Sequence, residues 1–166
     1  MYKRQVKITG RIKELYVSSG GKNIAPLVIE ETMKSIPMVS QCMLIGDGRK
    51  YCSALFTLDV GAILRDKHGM DPAKIPKDPT VQISTLESFG KTLADYTDSE
   101  EIHAEMQAQV TELNGQFSNP EQIKKFKILP RDLNVDFGEL TPTLKIRRIQ
   151  IRENWAAEIE AMYEGA

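Results

Sequence analysis

Three prolines, Pro72, Pro76 and Pro79, stand within eight residues of a polar stretch over residues 65–80. Each fixes its own φ, removes a backbone donor and biases the residue before it away from helical space, so that stretch cannot be one continuous helix. It reads as a long surface connection between two unlike parts of the chain. Before it, strand-like segments fall at residues 7–9, 14–18, 39–46 and 51–59, with a helix expected over 27–36 that Pro26 can open. After it, Leu86, Phe89, Leu93 and Tyr96 recur at three- and four-residue steps. Asp98, with Glu101 three positions on, is the expected cap of a second helix, whose apolar stripe is Ile102, Met106, Val110, Leu113 and Phe117. A strand over 124–129 and a last helix over 146–163, with Ile151, Trp155, Ile159 and Met162 inward, complete the pattern. Strands first, then helices and a late strand, describe an α+β layer rather than a doubly wound parallel sheet.

The 166 residues suffice for one domain that buries roughly two thirds of its unfolded surface, so neither disulfides nor a metal are needed for folding. With 22 Lys and Arg against 23 Asp and Glu, the net charge of -1 gives no general drive toward nucleic acid or an anionic membrane. There is no run of about 20 apolar residues, and nothing near Met1 resembles a secretion signal, so a cytoplasmic protein is expected. Cys42 and Cys52 flank an Asp47-Gly48 turn signal. A two- or four-residue turn there would point them to opposite sheet faces, as reduced thiols.

The two histidines, His68 and His103, fall on the polar connection and on an exposed helix face, leaving no basis for a zinc site or a Ser/His/Asp triad. Ser18-Ser19-Gly20-Gly21-Lys22 is not a Walker loop, because Asn23 follows the lysine and Tyr16 stands where the first glycine belongs. The glycine pair permits positive φ and close approach, by its own chain in a tight turn or by a slender ligand. In Leu140-Thr141-Pro142-Thr143-Leu144-Lys145 the proline is expected to make a stiff extended arm ending at Lys145. Arg147, Arg148 and Arg152 then crowd the start of the last helix, unfavourable there for cations but suited to an incoming anion; singly, each is also an ordinary surface charge.

Together these segments resemble a known family. Gly10-Arg11-Ile12-Lys13-Glu14-Leu15, running through Ser18-Ser19-Gly20-Gly21-Lys22-Asn23-Ile24-Ala25-Pro26 to Ile29-Glu30, is similar to the signature opening the C-terminal domain of adenylate-forming (AMP-binding) enzymes. Gly138-Glu139-Leu140-Thr141-Pro142-Thr143-Leu144-Lys145 with Arg147-Arg148 resembles the closing signature of that domain in long-chain fatty acid–CoA ligases. The resemblance implies a short hairpin plus a central, mostly antiparallel sheet flanked by helices. It would span residues 6–166, with a connection or insertion at about 61–98, and work against a large N-terminal domain that this chain does not contain. Such enzymes activate a carboxylic acid with ATP, accompanied by Mg2+, and transfer the acyl group to coenzyme A while the C-terminal domain alternates between two orientations. Lys145 would be the adenylation lysine and a nucleotide contact, Arg11 a second nucleotide contact, Lys13 the hinge, and Ser19, Gly20, Gly21 and Lys22 the lining of the pantetheine tunnel. The pattern includes no metal ligands. Leu144 stands where many relatives have glycine, although the long-chain branch is similar to this sequence there.

Expected partners are therefore ATP, a long-chain fatty acid, coenzyme A and the large domain, in the cytoplasm, with a peripheral membrane position left open for the whole enzyme. Acyl-chain preference belongs to the missing domain. Met1-Tyr2-Lys3-Arg4-Gln5 reads as a non-native scar and the remainder as a truncated ligase. Two other readings compete: a stand-alone, non-catalytic module that docks on an acyl-adenylating subunit or binds nucleotide or coenzyme A, and a structural α+β domain in which both motifs are only turns.

Overall fold

The structure is a computed structural model and describes residues 15–164. The proposed scar, Arg11, Lys13 and the strand expected over 7–9 lie outside the described residues.

The described chain opens with a small hairpin, β1 (Tyr16–Val17) against β2 (Asn23–Ile24), followed by α1 (Pro26–Met33) with Pro26 in its first turn. Strands β3 (Val39–Ile45) and β4 (Cys52–Leu58) pair antiparallel, and β5 (Ile123–Ile128) joins β4 in parallel, giving the order β3-β4-β5. The α+β class is thus observed, with a sheet of mixed direction. All seven residues of β4 are buried because it is the central strand and both faces are covered. One face carries Cys42, Leu44, Ala54 and Phe56 against Ile29, Met33, Ile63, Met106 and Val110. The other carries Met43, Ile45 and Leu55 against Ile151, Trp155, Ile159 and Met162.

Several expectations need correction. Residues 65–80 are not merely a connection: α2 (Val60–His68) runs into the stretch, Pro72 opens a 3-10 turn and Pro79 opens α3 (Pro79–Ser88). Here proline starts helices, where its missing N–H is not needed, as well as ending them. The Leu86-to-Tyr96 periodicity is split, since Gly90 takes φ +79° between α3 and the single turn α4 (Ala94–Thr97). Ser99, not Asp98, caps α5 (Glu100–Asn114) through its hydroxyl. The last helix breaks at Trp155 into α6 (Arg148–Asn154) and α7 (Ala156–Tyr163), while Ile151, Trp155, Ile159 and Met162 all face inward as expected.

Both cysteines are free, but not for the expected reason. Seven residues separate the paired Ile45 and Ser53, and this odd number puts Cys42 and Cys52 on the same face. Cys42 lies opposite Phe56, four residues along β4 from Cys52 and so roughly 13 Å away, beyond bridging distance. Burial pushes the Cys42 thiol well up and the Cys52 thiol to about 11, so both stay protonated.

Candidate functional site

The glycine motif forms the turn of the β1–β2 hairpin, closed by Ser18 N–H to Lys22 C=O at 2.9 Å and Gly21 N–H to Ser18 C=O at 2.9 Å. Gly21 has φ +82°, with open space where a Cβ would stand. Gly20 has no such φ, and a Cβ there would meet only Ser18 Oγ at 3.9 Å, so the backbone of this turn calls for glycine at Gly21 alone. The turn is tied sideways to the β3–β4 connection. Gly48 N–H donates to Val17 C=O at 2.8 Å, Ser19 N–H to Arg49 C=O at 2.9 Å, and Val17 N–H to Asp47 Oδ1 at 3.0 Å. Ser19, Gly20, Gly21 and Lys22 are all exposed. Nearby, a cleft of about 340 Å³ is lined by Tyr16, Asp47, Arg49, Arg152 and Glu160 among others, with Arg49 and Glu160 paired at 2.5 Å across it.

The closing motif is not an extended arm. Leu140 and Ile146 bridge antiparallel, Arg147 N–H donates to Glu139 C=O at 2.8 Å, and Thr141 N–H donates to Lys145 C=O at 2.8 Å. This makes a hairpin with a three-residue loop, 142–144, closed by Leu144 N–H to Thr141 C=O at 2.7 Å. Pro142 stands at the second position of that turn, where a fixed φ near −65° is an asset; the same residue that suggested rigidity makes the reversal. The loop needs a left-handed residue at its end, and Leu144 takes it with φ +65°, the one positive φ outside glycine among the described residues. For a side chain with a Cβ this costs about 1–2 kcal/mol. Lys145 follows, exposed, and its Nζ makes no ion pair with a described residue.

The foot of this hairpin is anchored by two buried carboxylates. Glu139 accepts from Arg131 Nη1 at 2.7 Å and Nη2 at 3.0 Å, from Trp155 Nε1 at 2.8 Å, and from Asn154 Nδ2 and the Asn134 N–H at 3.1 Å. Burial alone would raise its carboxyl, but the hydrogen bonds from Arg131, Asn154 and Trp155 outweigh that and hold it below the ordinary value.

The second anchor corrects the reading of the three arginines. Arg148 already has an anion: it grips Glu30 with both nitrogens, at 2.5 and 2.8 Å, and donates to Tyr16 Oη at 3.2 Å. Glu30 also accepts from Leu44 N–H at 2.7 Å, while Tyr16 Oη donates to Leu44 C=O at 2.9 Å. Burial pushes the Tyr16 hydroxyl up to about 12, so it remains a donor. Arg147 and Arg152 stay exposed. Glu30 ends the opening signature and Arg148 the closing one, so a buried bidentate ion pair joins the two motifs around one residue of β3, Leu44. Sequence reasoning missed this pair. Its only trace was Glu30 at the i+4 position from Pro26, on the same face as Ile29 and Met33, where an acidic residue needs a partner.

Among the described residues no three His, Cys, Asp or Glu side chains are grouped so that they could hold a metal ion. Nor is any helix among them long and apolar enough to cross a membrane.

A small α+β domain that presents a lysine on a strained hairpin and carries a separate glycine turn is the class that fold and motifs define. Residues 13–74 match the family model of the AMP-binding enzyme C-terminal domain, and that segment belongs to the family. It is 36% identical over 156 residues to a long-chain-fatty-acid–CoA ligase of Mycobacterium tuberculosis, covering 94% of this chain and 24% of that protein. A long-chain-fatty-acid–CoA ligase of Homo sapiens is 32% identical over 167 residues, covering 95% of this chain and 22% of that protein. The chain therefore spans about a quarter of the length of the curated relatives it matches. The adenylation domain of a carboxylic acid reductase from Segniliparus rugosus, solved with AMP and a co-purified carboxylic acid, shares the fold at TM-score 0.64 and 18% identity, over 92% of this chain and 20% of that one.

Proposed function

We propose that this chain serves as the C-terminal domain of an ATP-dependent long-chain fatty acid–CoA ligase. In the first half-reaction the fatty acid carboxylate attacks the α-phosphorus of ATP and diphosphate leaves. In the second, the coenzyme A thiol attacks the acyl carbonyl and AMP leaves. Lys145 acts in the first: its ammonium stands between two anions that must approach each other and offsets their repulsion as the transition state forms. The 18–22 turn, with Ser19, Gly20, Gly21 and Lys22, lines the path of the pantetheine arm in the second, and Arg11 and Lys13 act as nucleotide contact and hinge. ATP and coenzyme A are substrates. Mg2+ would come with ATP, and no step is assigned to it through this chain.

The observation that carries this reading is Lys145 itself: an exposed cation without an ion-pair partner among the described residues, on a hairpin anchored by two buried carboxylates, in a chain akin to CoA ligases along nearly all its length. The test joins the chain to the large part of the Mycobacterium tuberculosis relative in place of the quarter it matches. Lys145→Ala should cut ATP–diphosphate exchange with a long-chain fatty acid by about 10²-fold or more. Thioester formation from a synthetic acyl adenylate should persist. Exchange at the unmutated rate would remove Lys145 from the reaction.

A further inference from the structure

A hairpin loop that ends in a left-handed residue ordinarily uses glycine there. Leu144 has a Cβ, so its own preferences oppose φ +65°. Packing does not hold it either, because the residue is 63% exposed. Pro142 fixes its own φ and restricts Thr141, but exerts no such constraint on Leu144.

What reaches across the loop is Thr141. Its backbone carbonyl accepts from Leu144 N–H at 2.7 Å, and its N–H donates to Lys145 C=O at 2.8 Å. Any residue other than proline could make those two bonds. The third is particular: Thr141 Oγ1 accepts from Lys145 N–H at 3.1 Å and lies 3.0 Å from Thr143 Oγ1. Both amides after the turn, those of Leu144 and Lys145, are therefore held by one residue. If Lys145 N–H lost its side-chain acceptor, water could satisfy it without fixing its direction. Leu144 could then relax toward negative φ, turning the Cα–Cβ bond of Lys145.

We propose that Thr141 is a positioning residue for Lys145. Its hydroxyl locks Leu144 in the left-handed conformation and so sets the direction in which the lysine side chain leaves the hairpin. The consequence for catalysis rests on Lys145 being the adenylation lysine, because small misplacements of a reacting group are costly.

The test uses Thr141→Val, which keeps the shape and loses the acceptor, and Thr141→Ser, which keeps the acceptor. In the 166-residue chain, amide hydrogen exchange followed by NMR should show Lys145 N–H exchanging about tenfold faster in the valine variant, with the melting temperature little moved and the serine variant like the parent. Unchanged Lys145 exchange in the valine variant would overturn the proposal. In the fusion enzyme, Thr141→Val should lower kcat for diphosphate exchange about tenfold while leaving the KM for ATP and thioester formation from a synthetic acyl adenylate unmoved. Thr141→Ser should restore the rate. Equal loss in both half-reactions, or failure of the serine variant to restore it, would reduce Thr141 to a structural residue and overturn the proposal. If Lys145→Ala leaves diphosphate exchange intact, the reading of Lys145 fails by itself, and the hydrogen-exchange result still decides the hydroxyl lock.

Discussion

Gly21 and Leu144 both take positive φ, +82° and +65°, in the turns of two short hairpins. The first turn has glycine where the backbone demands it and is tied laterally to the neighbouring 47–49 turn by three hydrogen bonds, so surrounding structure sets its place. The second has leucine in the demanding position, no comparable lateral bond at its tip among the described residues, and its own Thr141 as brace. Placement by neighbours tolerates a relaxed backbone, whereas placement by an internal brace holds a strained one. Strain kept at an exposed turn is a signature of functional positions, and Lys145 is the next residue.

The largest test removes what the two hairpins share. Arg148→Ala leaves the Glu30 carboxylate buried without its ion-pair partner, and side-chain exposures of 12% and 4% make that costly. Urea unfolding should show a loss of about 3–5 kcal/mol. A smaller loss with both loops still protected from hydrogen exchange would break the comparison, because neither loop would then depend on the joint.

The next pair should move stability in opposite directions. Gly21→Ala forces a Cβ into a left-handed backbone with no clash to blame, and should cost about 1 kcal/mol. Leu144→Gly relieves the same strain in the other hairpin and should gain up to about 1 kcal/mol, despite the extra freedom glycine has in the unfolded chain. Equal signs in thermal unfolding of the two variants would show that Leu144 is not strained.

The gentlest test is pH. Glu139 is held below its ordinary value of 4.5, so its contribution is complete above that pH and is lost as pH falls through its lower folded value. Glu139 stands at the foot of the lysine hairpin only. On acidification below about 4.5, the amides of Thr141 and Lys145 should lose hydrogen-exchange protection before those of Ser18 and Lys22.

Much of the fold was legible along the chain. Of the expected stripe, Ile102, Met106 and Val110 are buried while Leu113 and Phe117 pack half-buried against the same core; β3, β4 and β5 lie within a residue or so of their expected spans, and α1 opens at Pro26. Such features depend on residues close in sequence, where periodicity and proline act directly. The errors share a cause. The relative face of Cys42 and Cys52 depended on whether the connection held an odd or even number of residues, which no local preference determines. The break at Trp155 accompanies its indole reaching Glu139, a contact sixteen residues away.

The same division runs through the candidate site. Local sequence alone determined that residues 18–22 turn at a glycine pair and that Lys145 follows a proline-bearing segment, because backbone permission and restriction are properties of those residues themselves. Only the tertiary structure decided that Arg148 is engaged by Glu30, 118 residues away, that Tyr16 and Glu30 together clasp the backbone C=O and N–H of Leu44, and that the segment before Lys145 reverses on itself with Leu144 strained. A cation's identity says nothing about which anion it will meet. That is settled when the folded core leaves a buried carboxylate within reach and makes an unpaired charge too costly to keep.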